Sequence, residues 1–552
     1  MPFPELLLRE APAPASGLSA RADVALFVGL VPRRDAPLPH AIRAALEAAG
    51  WAGAGSFARP DAQVEALLDM PVAVEGWGAF EELFDWDGRL VEAGDERRIP
   101  CPLALAVRSF FAAGGVRAWV VRCGDPLPLL RRGSSAAIAA QNARLLAWAP
   151  AAPPPDAAQR VPLIGGLNGL GNEPDPTAPA TWRGVGHAWG VEEAAMLLLP
   201  DLAELAGGVP RPLPAPPGPP PVPEAFRPCA PPVQDSAPPQ QRVRLAFTAP
   251  RLDRDGYRLW SQALAQVLRM LATPRGAAHR RDVTLISSLP LPQTARDAAP
   301  AEAEAWPLAL LDEAGIPAPG VRLRDAAGLG SARLQLGYPW VETDASAALP
   351  EGVEAPEGVL AGTIAAGSLR LGAFRSAAGS ALPAVHRTLP ELGTGALRRG
   401  LPDSDAADWL GARLSLVARR VEGFGLLSDA TMSADASWRP GGVSRLMGIL
   451  LRAARTLGQE RIFDSSGPAL WAELRLELEA LLERLRGAGA LDGPTPAAAY
   501  TVRCDRSTMT QADLDNGRVI ATLAFQPAYP VERITVTLAL AEAGLALRGR
   551  AA

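Results

Sequence analysis

Residues 103–123 read LALAVRSFFAAGGVRAWVVRC, and this stretch decides the fold. Its first half, 103–112, is apolar with helical spacing, and the glycine pair that follows is typical of a helix end. Its second half, 116–122, is rich in β-branched and aromatic residues and predicts a buried strand. A helix, a glycine stop and an apolar strand form one unit of an α/β protein.

The same alternation continues on both sides of this stretch. Apolar runs predict strands at 25–29, 196–199, 243–248 and 283–287, and amphipathic spacing predicts helices at 39–49, 77–84 and 256–272. Strands separated by helices favour a partly parallel sheet covered by helices. The last third differs, with two strong helices at 443–457 and 469–486 and with strands at 501–504, 519–525 and 531–540.

Composition excludes several classes of protein. A chain of 552 residues is too long for one ordinary core, and 48% hydrophobic with 20% charged residues is typical of globular domains. The net charge of −5, without a basic block, argues against a nucleic-acid partner. The sequence contains no run of about 18 apolar residues, so we predict no membrane insertion. The N-terminus has no secretory signal, so we expect assembly in the cytoplasm.

Residues that carry chemistry are sparse. The four cysteines lie far apart without a CxxC pair, and the glycine-rich GGLNGLG at 165–171 lacks the lysine of a phosphate-binding loop, so we predict no metal and no cofactor. Ser287 near His279 and Asp282 is the best triad that can be assembled, and no serine lies in a GxSxG motif. We therefore predict no catalytic residues, with an α/β hydrolase that uses Ser287 or another serine as the alternative.

A proline-rich segment interrupts the α/β pattern. Residues 210–223 hold nine prolines in fourteen positions, which excludes helix and favours extended polyproline II. We predict that it belongs to a loop-rich insertion at 126–240. A scaffold or adaptor that binds a partner through this segment is a further alternative function.

Several segments, in order along the chain, resemble one protein family. They are 4–10 with 25–29, PVAVEGWGAFEELF at 71–84, residues 103–123, VEEAAMLLLPDL at 191–202, GYPW at 337–340, and the stretches 356–362, 369–379, 423–446, 470–493 and 499–534. The family pattern L..AV..FF..GG..AYVVRV is similar to 103–123. The family is that of the tail sheath proteins of contractile phages, R-type pyocins and extracellular contractile injection systems.

The resemblance implies a multidomain α/β protein that is structural and not an enzyme. It implies an N-terminal arm at 1–22, a subtilisin-like α/β sheath region at 23–395, a smaller C-terminal α/β domain at 396–530 that faces an inner tube, and a C-terminal arm at 531–552. The implied function is assembly into stacked six-fold rings that contract and drive the tube through a target envelope. The implied partners are other copies of the chain, the inner tube protein, and baseplate and tail-terminator components, in a particle that is released after cytoplasmic assembly.

The two arms are predicted to join neighbouring subunits by exchanging strands. The N-terminal arm carries Leu6, Leu7 and Leu8, and the C-terminal strand alternates apolar residues at Ile534, Val536 and Leu538 with polar ones. A terminal strand leaves backbone groups and one apolar face without partners, and addition to the sheet of a neighbour satisfies both.

A face of the helix at 443–457 is the predicted tube contact. Arg445, Arg452 and Arg455 are spaced by seven and three residues and so share one side of the helix. We predict that they meet an acidic patch on the tube, and the alternative is the solvated face of a surface helix.

Overall fold

A computed structural model describes residues 21–92, 96–130, 175–207, 210–213, 246–252, 254–272, 279–292, 329–391, 413–433, 435–461, 467–515, 518–528, 535–541 and 544–550. The predicted N-terminal arm up to residue 20, most of the insertion and most of the proline-rich segment lie outside these residues. None of the described helices is long and apolar enough to span a membrane.

The strands are β1 (Ala25–Leu30), β2 (Pro71–Val74), β3 (Arg89–Leu90), β4 (Arg98–Ile99), β5 (Ala118–Gly124), β6 (Met196–Leu198), β7 (Arg251–Leu252), β8 (Thr284–Ser288), β9 (Leu291–Pro292), β10 (Leu334–Tyr338), β11 (Trp340–Thr343), β12 (Val385–Leu389), β13 (Ser415–Arg420), β14 (Gly423–Leu426), β15 (Tyr500–Arg503), β16 (Thr522–Phe525), β17 (Thr535–Ala541) and β18 (Gly544–Arg550). The helices are α1 (His40–Ala48), α2 (Asp61–Glu65), α3 (Trp77–Leu83), α4 (Pro102–Ala112), α5 (Leu202–Ala206), α6 (Arg254–Ala272), α7 (Glu357–Leu371), α8 (Gly441–Glu460), α9 (Pro468–Gly487), α10 (Pro496–Ala499) and α11 (Gln511–Asp515).

One eight-stranded sheet organises the larger part of the chain, in the order β14-β13-β10-β8-β6-β1-β5-β2. The strands from β13 to β5 run parallel, and β14 and β2 run antiparallel at the two edges. All six residues of β1 are buried, as its uninterrupted apolar run requires of a central parallel strand. The predicted α/β architecture is therefore confirmed as a mixed sheet.

The parallel strands, numbered by their position in the chain, follow the order 2-1-3-4-5-6. This is a doubly wound arrangement in which the chain reverses direction across the sheet between β1 and β6. The subtilisin likeness implied by the sequence resemblance is a finer statement and stays a prediction.

Helices α4 and α7 pack against each other on the sheet at very short range. The backbone of Gly358 faces the Ala106 carbonyl, and that of Gly362 faces the Phe110 carbonyl; a Cβ at either glycine would lie 2.3 Å from the facing oxygen. Because the contacts advance in the same direction along both helices, α4 and α7 run parallel. Glycine at these two positions lets the backbones approach where any side chain would hold them apart.

A second, smaller core lies in the C-terminal part of the chain. It consists of residues from α8, α9 and β15, with Leu446, Leu450, Leu482, Leu485 and Val502 among them. Helix α8 also packs outside this core, since Ile449 forms a small separate cluster with Ala22 and Ala373. Helix α8 thus links the residues of this second core to the sheet.

The predicted domain boundary at 395/396 is wrong. Strands β13 and β14 lie beyond it and yet complete the edge of the main sheet, where Gly337 and Tyr338 of β10 pair with β13. The described C-terminal core begins only with α8. The sequence of 396–426 has ordinary strand character, and nothing in it indicates which sheet the strands join.

Two strand predictions also change. The strand expected at 243–248 is reduced in the described residues to a single bridge between Phe247 and Pro212, and the strand of this region is β7. The described part of the last predicted strand is β17, which pairs with β18 as an antiparallel hairpin in which Leu538 lies opposite Leu547. The predicted helices at 39–49, 77–84, 103–112, 256–272, 443–457 and 469–486 are all present.

Candidate functional site: the α8 junction and the terminal strands

Two stripes of side chains on α8 face two different neighbours. Arg445, Ile449 and Arg452 recur at spacings of four and three and face the sheet, while Leu446 and Leu450 lie one residue further round and face the C-terminal core. The helix is therefore the structural joint between the two parts of the chain.

Arg445 forms an ion pair with Asp429, which is fully enclosed. The Nη2 atom of Arg445 lies 2.6 Å from Oδ2 of Asp429. This carboxylate also accepts hydrogen bonds from Gln335 Nε2 and from the Ala377 N–H, both at 2.7 Å. Burial alone would raise the pKa of Asp429, but the Arg445 guanidinium outweighs it and holds the pKa below its ordinary value.

Asp282, just before β8, is the centre of a larger cluster. Its carboxylate lies 2.7 Å from Arg455 Nη2, 3.3 Å from Arg280 Nε and 3.6 Å from Arg452 Nη1. Burial raises the pKa of Asp282, and the opposing charge of Arg280, with help from Arg455 and Arg452, brings it below its ordinary value. Burial lowers the pKa of Arg452 to about 10 although Asp282 opposes the shift. Removal of the carboxylate would leave these cations without their counter-charge.

The predicted exposed arginine face on α8 is wrong. Arg445 and Arg452 are only 7% and 6% exposed, and both donate to groups of the sheet domain. Arg455 is partly exposed and also pairs with Asp282. Charges buried in this way are held by their carboxylates and do not present a surface to a tube. The sequence spacing correctly placed the three arginines near one side of the helix, but it could not show that acidic partners cover that side.

Three other carboxyl groups lie buried at the carboxyl ends of the parallel strands. Asp201, after β6, accepts a hydrogen bond of 2.9 Å from the Leu30 N–H at the end of β1. Glu354 accepts from the hydroxyls of Ser109 (2.8 Å) and Thr343 (2.5 Å). Burial raises the pKa of Asp201 and of Glu354 to about 7 and that of Glu357 to about 8.

The crevice in which a doubly wound fold commonly binds ligands is filled in this chain. A Cβ on Gly29 of β1 would lie 2.2 Å from Asp201 Oδ2 and 2.7 Å from Leu103 Cδ1, so the chain itself occupies this space. A cavity beside it, lined by Glu204 and Glu354 among others, holds about 30 Å³, the volume of one water. Within the described ranges, no group of three or more His, Cys, Asp or Glu could hold a metal ion.

The raised carboxyl pKa values predict a stability that falls with rising pH. The folded chain keeps protons on Asp201, Glu354 and Glu357 that the unfolded chain releases above about pH 4, so the free energy of unfolding decreases from about pH 5 to pH 8. We expect a loss of about 5–8 kcal/mol between pH 5.5 and 8.5, measured by urea unfolding.

The Glu354→Gln variant is the control for this pH dependence, because an amide oxygen can still accept from Ser109 and Thr343 but has no proton to lose. This variant should reduce the decrease of the unfolding free energy with pH without reversing it. His279, whose pKa burial lowers, acts in the opposite direction, but only below its ordinary value of about 6.5. A stability that rises from pH 7 to 8.5 would contradict the assignment.

The Ser287 triad is not assembled. Asp282, in the turn before β8, is occupied by three arginines, and Ser287 lies near the far end of that strand. Ser287 is also buried. The serine that sequence reasoning offered as a nucleophile is a core residue of β8.

The predicted inter-subunit residues are only partly described. Leu6, Leu7, Leu8 and Ile534 lie outside the described residues, and Val536 and Leu538 lie on the backbone of β17. Within the described part of the chain, β15–β16 and β17–β18 are separate two-stranded sheets. A two-stranded sheet is marginally stable alone and leaves edges that can take further strands.

The comparisons with known proteins agree with this architecture. Residues 433–541 match the family described as "Phage tail sheath C-terminal domain". The match begins just before α8, where the described C-terminal core begins. A search of curated protein sequences finds no significant match.

Solved structures extend the likeness to nearly the whole chain. A chain of the anti-feeding prophage (AFP) baseplate, 6-fold symmetrised, shares 16% identity over 98% of this chain and 99% of that chain, with a TM-score of 0.52. The AFP helical sheath in the contracted state shares 17% identity over 97% and 99%, with a TM-score of 0.50. The PVC sheath complex of an extracellular contractile injection system, in the contracted state, shares 13% identity over 98% and 99%, with a TM-score of 0.49.

The resemblance expected from the sequence is thus confirmed at the level of domain and fold. Residues 433–541 match the tail sheath C-terminal domain, and the α/β fold along nearly the full chain is similar to that of solved baseplate and sheath chains of the anti-feeding prophage.

Proposed function

We propose that the chain is a structural sheath subunit that assembles with copies of itself into stacked six-fold rings around an inner tube. Contraction of these rings drives the tube through a target envelope, without catalysis by this chain. Its further partners are the inner tube protein and the baseplate and tail-terminator components. Assembly takes place in the cytoplasm, and the particle is released afterwards.

The observation that carries the proposal is that the C-terminal strands form only two-stranded sheets in the described residues. The first strand of the hairpin, β17, closes the stretch that matches the tail sheath C-terminal domain, and the hairpin pairs with no other strand of the described residues. The sheet β15–β16 of the same domain is equally short. Addition of the hairpin of one subunit to the β15–β16 sheet of a neighbour builds a larger sheet from two marginal ones.

The connection between the C-terminal core and the hairpin supports a pivot. The chain is still held at Ala528, whose N–H donates to the Ala490 carbonyl at 2.9 Å, and Pro527 forms a bridge with Leu491. Residues 526–528 are therefore held to the C-terminal core. Rotation of the hairpin relative to that core would reorient a subunit while its exchanged strands stay paired.

Contraction needs no cofactor in this scheme. Two arrangements of the same subunits differ in free energy, and the change from the extended to the contracted lattice releases the difference. The α8 junction supports this role, because its buried ion pairs fix the C-terminal domain to the sheet, so that motion occurs between subunits. The tube contact lies on another surface of the C-terminal domain than the three arginines of α8.

Removal of the hairpin tests the proposal. Deletion of 531–552 removes β17–β18 and none of the side chains in the two described cores. We expect a folded, soluble subunit with unchanged circular dichroism that forms no tubes in negative-stain microscopy, whereas the full chain does form them.

A matched pair of point variants separates the effect of backbone pairing from the effect of side-chain shape. Val536→Pro removes a backbone donor from β17, and Val536→Thr keeps the donor and the β-branched shape. Tubes should be lost with proline and retained with threonine. Normal tubes from the deletion variant would show that the hairpin does not join subunits.

A further inference from the structure

A small cavity lies where α7 and α8 pack on the sheet. It holds about 10 Å³, the space of one water molecule or one small ion. Its polar lining consists of Asp282, Thr284, Gln335, Arg445 and Arg452, and apolar side chains from β6, β8 and α7 complete the wall. All of these residues are buried. An occupant of the cavity is therefore shielded from bulk water and depends on the groups around it.

One donor in the wall of this cavity has no acceptor. Arg452 is 6% exposed, and its Nη1 atom donates to the Asp282 carbonyl at 2.8 Å. Its Nε atom is enclosed and has no hydrogen-bond partner among the described residues. A buried N–H group of a cation that lacks an acceptor is costly, because water satisfies the same group in the unfolded chain. An acceptor in the cavity removes this cost.

The other polar groups around the cavity provide charge and one further donor. Arg445 forms its ion pair with Asp429, and Gln335 donates to the same carboxylate. Thr284, the first residue of β8, adds a hydroxyl that can rotate and donate into the cavity. The cavity thus offers donors from Arg452 and Thr284 to a group that accepts hydrogen bonds.

The buried network around the cavity has more positive than negative charge. Its ion pairs join four arginines to two carboxylates, namely Arg280, Arg445, Arg452 and Arg455 to Asp282 and Asp429. Glu192 adds a third negative charge near Arg280, which still leaves a positive excess. Burial, and then the like charges of Arg280 and Arg455, lower the pKa of Arg452 to about 10 although Asp282 opposes the shift. Because charges interact strongly away from water, this excess favours an anion over a neutral water molecule.

We propose that this cavity binds one small monovalent anion of the size of chloride, as a structural ion of the α8 junction. The Nε atom of Arg452 and the hydroxyl of Thr284 donate to the ion, and the positive excess of the network is its counter-charge. The small volume of the cavity excludes phosphate and organic carboxylates. The ion adds to the contacts that hold α8 on the sheet, and the inference does not depend on the proposed sheath function.

Exchange of gluconate for chloride at constant ionic strength tests the site in the full-length chain. Gluconate is too large for the cavity, so only chloride can bind there. An ion that binds the folded state alone stabilises it by mass action. Once the site is filled, each tenfold rise in chloride should raise the folding equilibrium constant, measured by urea unfolding, about tenfold. A folding equilibrium constant that does not depend on chloride would overturn the proposal.

Arg452→Met and Arg475→Met form a matched pair of variants. The first removes the donor without an acceptor and one charge of the network. The second removes a surface arginine of α9, whose side chain is 46% exposed and lies 3.8 Å from Glu479. In Arg452→Met the folding equilibrium constant should change by less than about twofold over a tenfold rise in chloride, whereas Arg475→Met should respond as the wild type does. An equal response of the two variants would assign the effect to general salt action and refute the site.

Crystals of the wild-type chain grown in bromide give a readout that requires no variant to fold. Bromide takes the place of chloride and is visible by its anomalous scattering, whereas water is not. We expect one anomalous peak beside Arg452 and Thr284, inside the cavity. A cavity that holds only a water molecule, or peaks confined to arginines on the surface, would overturn the proposal.

Discussion

The Asp282→Ala variant should lose about 3–5 kcal/mol of unfolding free energy, the usual cost of removing one partner from a buried ion pair. Asp282 is fully enclosed and faces Arg280, Arg452 and Arg455, and Arg452 stays buried when the carboxylate is gone. All three arginines keep backbone acceptors, such as the Ala194 carbonyl for Arg280 and the Asp282 carbonyl for Arg452, both at 2.8 Å, so the cost is the loss of their shared counter-charge. Urea unfolding at neutral pH measures the loss.

A surface pair serves as the control. Glu473 is 57% exposed and lies 3.3 Å from Arg461, and Glu473→Ala should cost less than about 1 kcal/mol. If Asp282→Ala cost no more than this control, the cluster would not be what holds α8 to the sheet.

A double variant shows where the cost arises. Arg452→Met in the Asp282→Ala background removes a buried charge without a partner and keeps most of its volume, so it should recover part of the lost stability. In the wild-type background the same substitution should be destabilising. This change of sign distinguishes an ion-pair effect from a simple packing defect.

The sequence predicted the elements well because their signals are local. The helix and strand of 103–123 follow from apolar spacing, a glycine stop and β-branched residues, and α4 and β5 are found there. The same holds for β1, whose six-residue apolar run becomes a central buried strand.

The arginines of α8 were misinterpreted because their partners are distant in the sequence. Asp282 lies 173 residues before Arg455, and no pattern on the helix indicates which carboxylates will cover it. Arginine spacing alone is compatible with a solvated face, a binding face or a buried network. Only the tertiary arrangement decides among them.

The sequence carries a signal for the second strand of the C-terminal hairpin. Leu545 and Leu547 alternate with Ala546 and Arg548 just after Gly544, which is the period of a strand that follows a turn. The second strand of the hairpin could therefore have been predicted. The close approach of α4 and α7 could not, because a glycine in an apolar helix shows only that a close contact is possible.

The Gly358→Ala variant should lose about 2–3 kcal/mol of unfolding free energy, and Gly358→Ala with Gly362→Ala somewhat less than twice that amount. Each new Cβ would lie 2.3 Å from a carbonyl oxygen of α4. A backbone oxygen cannot turn aside as a side chain can, so the two helices have to separate. The second substitution then meets a wider gap and costs less than the first.

Gly367→Ala on the same helix is the matched control, since no atom lies within 4 Å of its Cβ position. There the substitution should stabilise the chain by about 0.5–1 kcal/mol, because alanine favours helix over glycine. Opposite signs for the same chemical change at positions 358 and 367 would show that helix approach, and not helix propensity, fixes the glycines of α7.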